Sequence, residues 1–178
     1  GHWLTQALPQ HGIAALLLCD GPHGLRKQEG KADHLGLHES LPATCFPTAS
    51  TLACSFDPGL AREVGRAIGE ECVREDVAVV LGPGMNIKRS PLGGRGFEYF
   101  SEDPFLTSAM ATGMVEGIQS CGVGACLKHF ACNSQEIARM VSDSIVDERA
   151  LNEIYLRGFE KTVKKARPWA VMTAYNRL

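Results

Sequence analysis

Lys128 and His129 stand side by side at the end of a short apolar run in CLKHFACNSQE. Two donor or cationic groups placed there lose hydration unless a partner replaces the water. A polar ligand on the rim of a sheet would supply that partner, and Arg139, from the loop that follows, could reach the same place. Asp20 ends another apolar run, in CDGPHGLRK. A carboxylate at a strand end can accept two hydrogen bonds from vicinal sugar hydroxyls, or it can simply cap the Gly-Pro turn behind it. In NIKRSPLGGRGFEYFSEDP, Gly93-Gly94-Arg95-Gly96 lets backbone and guanidinium come close to a ligand. The acidic groups nearby read as structural: Asp103 as a helix cap, Glu98 as a partner for a neighbouring Arg or Lys. Met172 and Tyr175 in VMTAYNRL lie three apart, so both face one site only if the strand end bends. Tyr175 can pack on an apolar sugar face or donate its hydroxyl.

The elements that must position these groups alternate along the chain. Strands are expected over 13–19, 51–54, 77–81, 124–127 and 169–174, with a polar loop over 26–40 and a second long loop over 85–100. Asp57-Pro58 and Asp103-Pro104 both read as an N-cap followed by the first helical residue. Leu60, Val64, Ile68 and Cys72 form the expected buried stripe of the first helix. Leu106, Met110, Met114 and Ile118 form that of the second. A third helix is expected over 147–165, with Leu151, Ile154, Tyr155, Phe159 and Val163 on its apolar face. Cations gather near its end, and Pro168 stops it. Strands apolar on both faces and separated by helices indicate a parallel sheet covered by helices. No G-x-G-x-x-G follows the first strand, which disfavours a dinucleotide-binding open sheet. Polar groups at strand ends favour the catalytic rim of a (β/α)8 barrel, here incomplete at about five βα units. Residues 1–178 therefore read as the N-terminal portion of a larger barrel domain, with an unclosed apolar edge.

Composition narrows the partners. Of 178 residues, 44% are hydrophobic and 21% charged, and the net charge of -2 gives no reason to expect a nucleic acid or anionic membrane. The longest continuous apolar candidate, 13–19, is strand-length. Seven cysteines, an odd number with no C-x-x-C pair, read as buried free thiols rather than disulfides or zinc ligands. That favours a reducing, cytoplasmic location.

Taken in order, DGPHGLR, GRGFEYFSEDP, KHFACNSQE and VMTAYNRL resemble glycoside hydrolase family 3, specifically its β-glucosidase branch, over nearly the whole chain. The resemblance implies a (β/α)8 domain, sometimes distorted, that holds a terminal sugar at its mouth. Carried over to this sequence, the substrate-binding residues are Asp20, Arg95, Lys128, His129, Arg139, Met172 and Tyr175. It also implies non-proline cis peptide bonds near Lys128-His129-Phe130. Family members are retaining enzymes: a carboxylate nucleophile forms a glycosyl-enzyme and a second carboxyl serves as acid, then base. The nucleophile is an Asp in an SDW-like segment beyond the matching AYN, and the acid/base Glu comes from a following α/β domain. Neither role falls to any residue here, so the chain by itself is expected to be inactive. No metal or organic cofactor is implied; the expected partners are a β-glucoside or oligosaccharide and the remainder of the polypeptide, or a complementing chain. KHFACNSQE departs from the KHFPGHG of the N-acetylglucosaminidase branch, which favours β-D-glucosides, with pentosides next. A β-xylosidase or glycosyl phosphorylase of the same architecture, a Schiff-base aldolase using Lys128, and a non-catalytic carbohydrate-binding fragment are the competing readings.

Overall fold

The computed structural model describes residues 2–30 and 38–178. The middle of the polar loop expected over 26–40, residues 31–37, lies outside them. Strands β1 (His2–Leu4), β2 (Leu17–Asp20), β3 (Val79–Leu81), β4 (Gly124–Phe130) and β5 (Ala170–Thr173) form one sheet in chain order. β2 to β5 run parallel, with Asp20 opposite Leu81 and Lys128 opposite Met172. β1 pairs antiparallel with β2 and was not anticipated from the sequence. Helices α1 (Ala49–Ala53), α2 (Pro58–Arg74) and α3 (Pro104–Gln119) fill the crossovers between β2 and β4. α4 (Glu148–Ala150), a π-helical turn (Leu151–Tyr155) and α5 (Arg157–Ala166) fill the last. The result is an open, curled α/β sheet with helices on its outer side, a partial (β/α)8 barrel whose edge strand is reversed.

Strand alternation divides the sheet into two faces. Cys19, Val80, Ala125 and Leu127 pack outward with Ile68, Met110, Met114 and Ile118 of the helices. Leu18, Val79, Leu81, Cys126, Ala170 and Met172 form a separate cluster on the inner face. By the same period of two, Asp20 and Lys128 point inward at the ends of their strands.

Four expectations about the elements are corrected. The strand expected over 13–19 is confined to Leu17–Asp20, and Ile13 and Leu16 are exposed. Residues 51–54 are not a strand. Thr48 caps a short helix by accepting from the Thr51 amide at 3.3 Å, and Ala49, Leu52 and Ala53 turn a helical face to the core. The buried stripe of α2 is Ala61, Gly65, Ile68, Gly69 and Cys72, with Leu60 exposed. Small residues win because α3 lies close against this face, and bulk at those positions would push the two helices apart. The helix expected over 147–165 is interrupted by the π turn, and Val163 is exposed. The Asp57 and Asp103 caps are present, each carboxylate accepting from two backbone amides of the first turn. α3 is buried around most of its circumference rather than along one stripe, because α2, α5 and the sheet all press on it. Of the seven free cysteines, Cys19, Cys72, Cys126 and Cys132 are buried, Cys121 is half-buried, and Cys45 and Cys54 are exposed.

Candidate active-site cleft

Asp20 closes β2, and the chain turns back at once: the Arg26 amide donates to the Asp20 carbonyl at 2.9 Å. Gly24 sits inside this turn with φ of 137° against the backbone of Thr44, a place no side chain could occupy. Across the sheet, β3 ends at the cis Gly82-Pro83 bond, and the Met85 amide donates to the Lys128 carbonyl at 2.8 Å. Gly84 lets the turn carrying Glu98 press onto the rim; a Cβ there would lie 2.9 Å from the Glu98 carbonyl oxygen. α1 pins the same turn, because the Ser50 hydroxyl donates to the Gly96 carbonyl at 2.7 Å.

These devices bring Asp20, Arg95 and Lys128 to the wall of one cleft of about 480 Å³. That is within the usual range for small-molecule sites. Glu98, 3% exposed, lies between the two cations: it pairs with Arg95 and reaches the Lys128 ammonium at 3.6 Å. The buried lysine therefore has an anionic partner, as the sequence suggested for Glu98. His23, Arg26 and Phe97 line the cleft as well. They were not among the expected site residues. The His23 and Phe97 rings meet edge to face at 5.7 Å, and burial holds the His23 pKa below its usual value. Arg26 was legible in principle, since it ends the DGPHGLR motif; nothing in the sequence singled out His23 or Phe97.

His129 stands beside this cleft rather than in its wall. The Lys128-His129 and Phe130-Ala131 peptide bonds are cis, as the resemblance implied for this segment, and pairing with β5 shifts register between Lys128 and Phe130. The His129 amide donates to the Asn86 side-chain oxygen at 3.1 Å, and its Nδ1 lies 2.9 Å from the Tyr99 hydroxyl. Burial, reinforced by the nearby charges of Arg95, Lys128 and Arg139, pushes its pKa down to about 2. The imidazole is thus neutral at any working pH. Burial likewise raises the Tyr99 hydroxyl well above its usual value.

Arg139 and Tyr175 pack on each other. The guanidinium is 5.0 Å from the Tyr175 ring centre and bonds Glu136 at 2.7 Å, and Tyr175 is 59% exposed. Met172 sits next to Lys128 on the inner face, packed with Cys126 and Leu81. The seven expected residues therefore divide. Asp20, Arg95 and Lys128 share the cleft, Met172 pairs beside Lys128, and His129 is joined through Tyr99, Asn133 and Glu136 to Arg139, which lies over Tyr175. The arrangement offers a carboxylate acceptor and several fixed donors around a partly apolar floor, chemistry suited to a polyhydroxylated ligand.

Residues 30–178 match the family described as Glycosyl hydrolase family 3 N terminal domain. The chain is 59% identical over 176 residues to thermostable beta-glucosidase B of Acetivibrio thermocellus, covering 99% of this chain and 23% of that protein. It is 54% identical over 177 residues to an exo-alpha-(1->6)-L-arabinopyranosidase of Bifidobacterium longum, again covering 99% and 23%. Its fold superimposes on beta-glucosidase 3B of Thermotoga neapolitana, solved in complex with glucose, with a TM-score of 0.91 and 51% identity over 98% of this chain and 24% of that one. The chain thus spans about a quarter of the length of these relatives. With four motifs in order, half a barrel and polar groups gathered at its rim, the chain belongs to glycosyl hydrolase family 3.

Proposed function

We propose that residues 1–178 are the N-terminal portion of the barrel domain of a β-glucosidase and supply most of the pocket for the non-reducing-end glucose. The observation that carries this reading is the gathering of Asp20, Arg95 and Lys128 in one cleft at the C-terminal ends of parallel strands. In the whole enzyme the Asp20 carboxylate accepts from adjacent sugar hydroxyls while Lys128, Arg95 and His129 donate to others. Arg139, Met172 and Tyr175 complete the wall. The nucleophile Asp and the acid/base Glu come from the rest of the polypeptide, which forms and hydrolyses a glycosyl-enzyme with retention. The same remainder covers the apolar flank beside β5, where Val171, Met140, Val141 and Ile145 are exposed. This chain alone then binds sugar without turnover.

The test is hydrolysis of aryl β-D-glucoside by the full-length enzyme and its Asp20→Asn variant. Loss of an ionised acceptor that strengthens in the transition state lowers kcat/KM by about a hundredfold or more. Near-parental turnover would remove Asp20 from the site. A second reading, a pentopyranosidase, is supported by the arabinopyranosidase relative at 54% identity. Aryl β-xyloside and α-L-arabinopyranoside, assayed beside the glucoside, separate the two by their kcat/KM ratio.

A further inference from the structure

We propose that Tyr99 is a positioning residue that fixes His129 as the neutral tautomer protonated on Nε2, so that the imidazole can only donate to the bound sugar. The inference rests on the glucoside-binding reading of the cleft, and deepens it by giving one ring nitrogen a defined role.

A chain of hydrogen bonds reaches His129 from Glu136, and its direction is set at the carboxylate end. Glu136 is bonded by Arg139 at 2.7 Å through one carboxylate oxygen and by the Asn133 side-chain amide at 2.9 Å through the other. An ionised carboxylate only accepts, so the Asn133 atom facing it must be the NH2 group. The same NH2 lies 2.8 Å from the Tyr99 oxygen and donates its second hydrogen there. Tyr99 has one hydrogen of its own, and His129 Nδ1 at 2.9 Å is the acceptor it meets among the described residues. Were Nδ1 the donor instead, the tyrosine oxygen would receive two hydrogens and its own would have no acceptor in this buried network, at the cost of an unmade bond. The direction is therefore Asn133 to Tyr99 to His129. With Nδ1 accepting, the single proton of a neutral imidazole sits on Nε2. Nε2 makes no hydrogen bond among the described residues and is not one of the atoms sealed from solvent. Neutrality is independently favoured, since burial and three neighbouring cations hold the ring deprotonated.

The geometry also explains why the pairing is rigid. Tyr99 is buried, its ring meets the His129 ring edge-on at 6.1 Å, and the same ring packs over Gly84. Tyr99→Phe keeps all of this and removes only the hydroxyl.

The experiment uses the full-length enzyme with 15N-labelled histidine, and compares the parent with Tyr99→Phe. In the parent, the His129 signals identify Nδ1 as unprotonated and Nε2 as protonated; in the variant the two nitrogens average toward a tautomer mixture. kcat/KM for the glucoside falls about tenfold, the effect of one weakened donor hydrogen bond. Against a series of monodeoxy glucosides, the penalty disappears for the one that lacks the hydroxyl met by Nε2. A protonated Nδ1 in the parent overturns the proposal, as does an equal penalty on every deoxy substrate, which is what a merely structural tyrosine gives. If Tyr99→Phe does not fold, Asn133→Ala releases the direction of the Tyr99 hydroxyl and carries the same spectral test. If the parent hydrolyses no glucoside, the functional reading fails, while the labelled spectrum still decides the tautomer.

Discussion

Glu98→Gln is the substitution whose consequence the structure predicts most sharply. Glutamine matches the shape of glutamate and removes only its charge. The Glu98 and Lys128 side chains are each 4% exposed, and their charges lie 3.6 Å apart. Coulomb's law at an effective dielectric of about 20 gives about 5 kcal/mol for unit charges at 3.6 Å, before the cost of desolvation. Stripping one partner from a buried pair typically costs about 3–5 kcal/mol, because the other charge stays buried. The long separation, and the partial exposure of Arg95 on the second carboxylate oxygen, put the expected loss near the lower end, about 3 kcal/mol. At about 2–4 °C per kcal/mol for a chain of this length, the melting midpoint falls by about 6–12 °C. Thermal unfolding followed by circular dichroism reads this directly. Lys128→Met in the Glu98→Gln background removes the stranded cation, and the double variant should recover about 1–2 kcal/mol of the loss. A single variant melting within about 2 °C of the parent would refute the reasoning. So would a Glu98→Gln cost that is the same with and without Lys128.

Other expectations follow from the same geometry. His129 has a folded pKa near 2 against an ordinary 6.5, so below about pH 6.5 the unfolded chain binds a proton that the folded one does not. Stability therefore drops as pH falls through that window, by up to about 1.4 kcal/mol per pH unit from this group. Urea titrations between pH 5 and 6.5 should show a shallower slope in His129→Gln; parallel slopes would exclude the effect. Burial raises the Cys19 and Cys132 thiols to about 11 and Cys72 to about 12, while Cys45 and Cys54 are exposed. Brief alkylation of the native protein, followed by peptide mass spectrometry, should mark Cys45 and Cys54 and spare those three. Gly84→Ala places a methyl 2.9 Å from the Glu98 carbonyl and 3.0 Å from the Tyr99 ring, so the turn must move; a loss of about 1–3 kcal/mol in the melt is expected. Asp103→Ala removes both first-turn acceptors of α3 and should cost about 1 kcal/mol by the same measurement.

Much of the fold was readable because its signals are local. Asp57-Pro58 and Asp103-Pro104 announce helices through the hydrogen bonds the carboxylate makes within one turn. The apolar runs that end at Asp20 and at Lys128 announce strands with polar rims. Where the reading failed, a distant neighbour had decided the matter. Residues 51–54 read as a strand only because they are a short apolar run, yet they belong to a helix that buries Ala49 and Leu52 and hands Ser50 to the Gly96 turn. The stripe of α2 shifts from Leu60 to Ala61, Gly65 and Gly69 because α3 comes close, while Val64 stays packed against the core. β1 is only three residues long and owes its existence to pairing with β2.

The site divides in the same way. The motifs and the family resemblance they carry named Asp20, Arg95, Lys128, His129, Arg139, Met172 and Tyr175, and the apolar runs placed most of them at strand ends. Which of them share a wall was settled by the curl of the sheet, together with turns pressed against glycines that no local pattern encodes. The burial of Glu98 between two cations, the place of His23 and Phe97 in the cleft, and the hydrogen bonds that link Glu136, Asn133, Tyr99 and His129 exist only in three dimensions. The physical reason is range. Caps, turns and periodicity act over a few residues, whereas charge pairing and desolvation depend on atoms that folding brings together from segments some thirty positions apart.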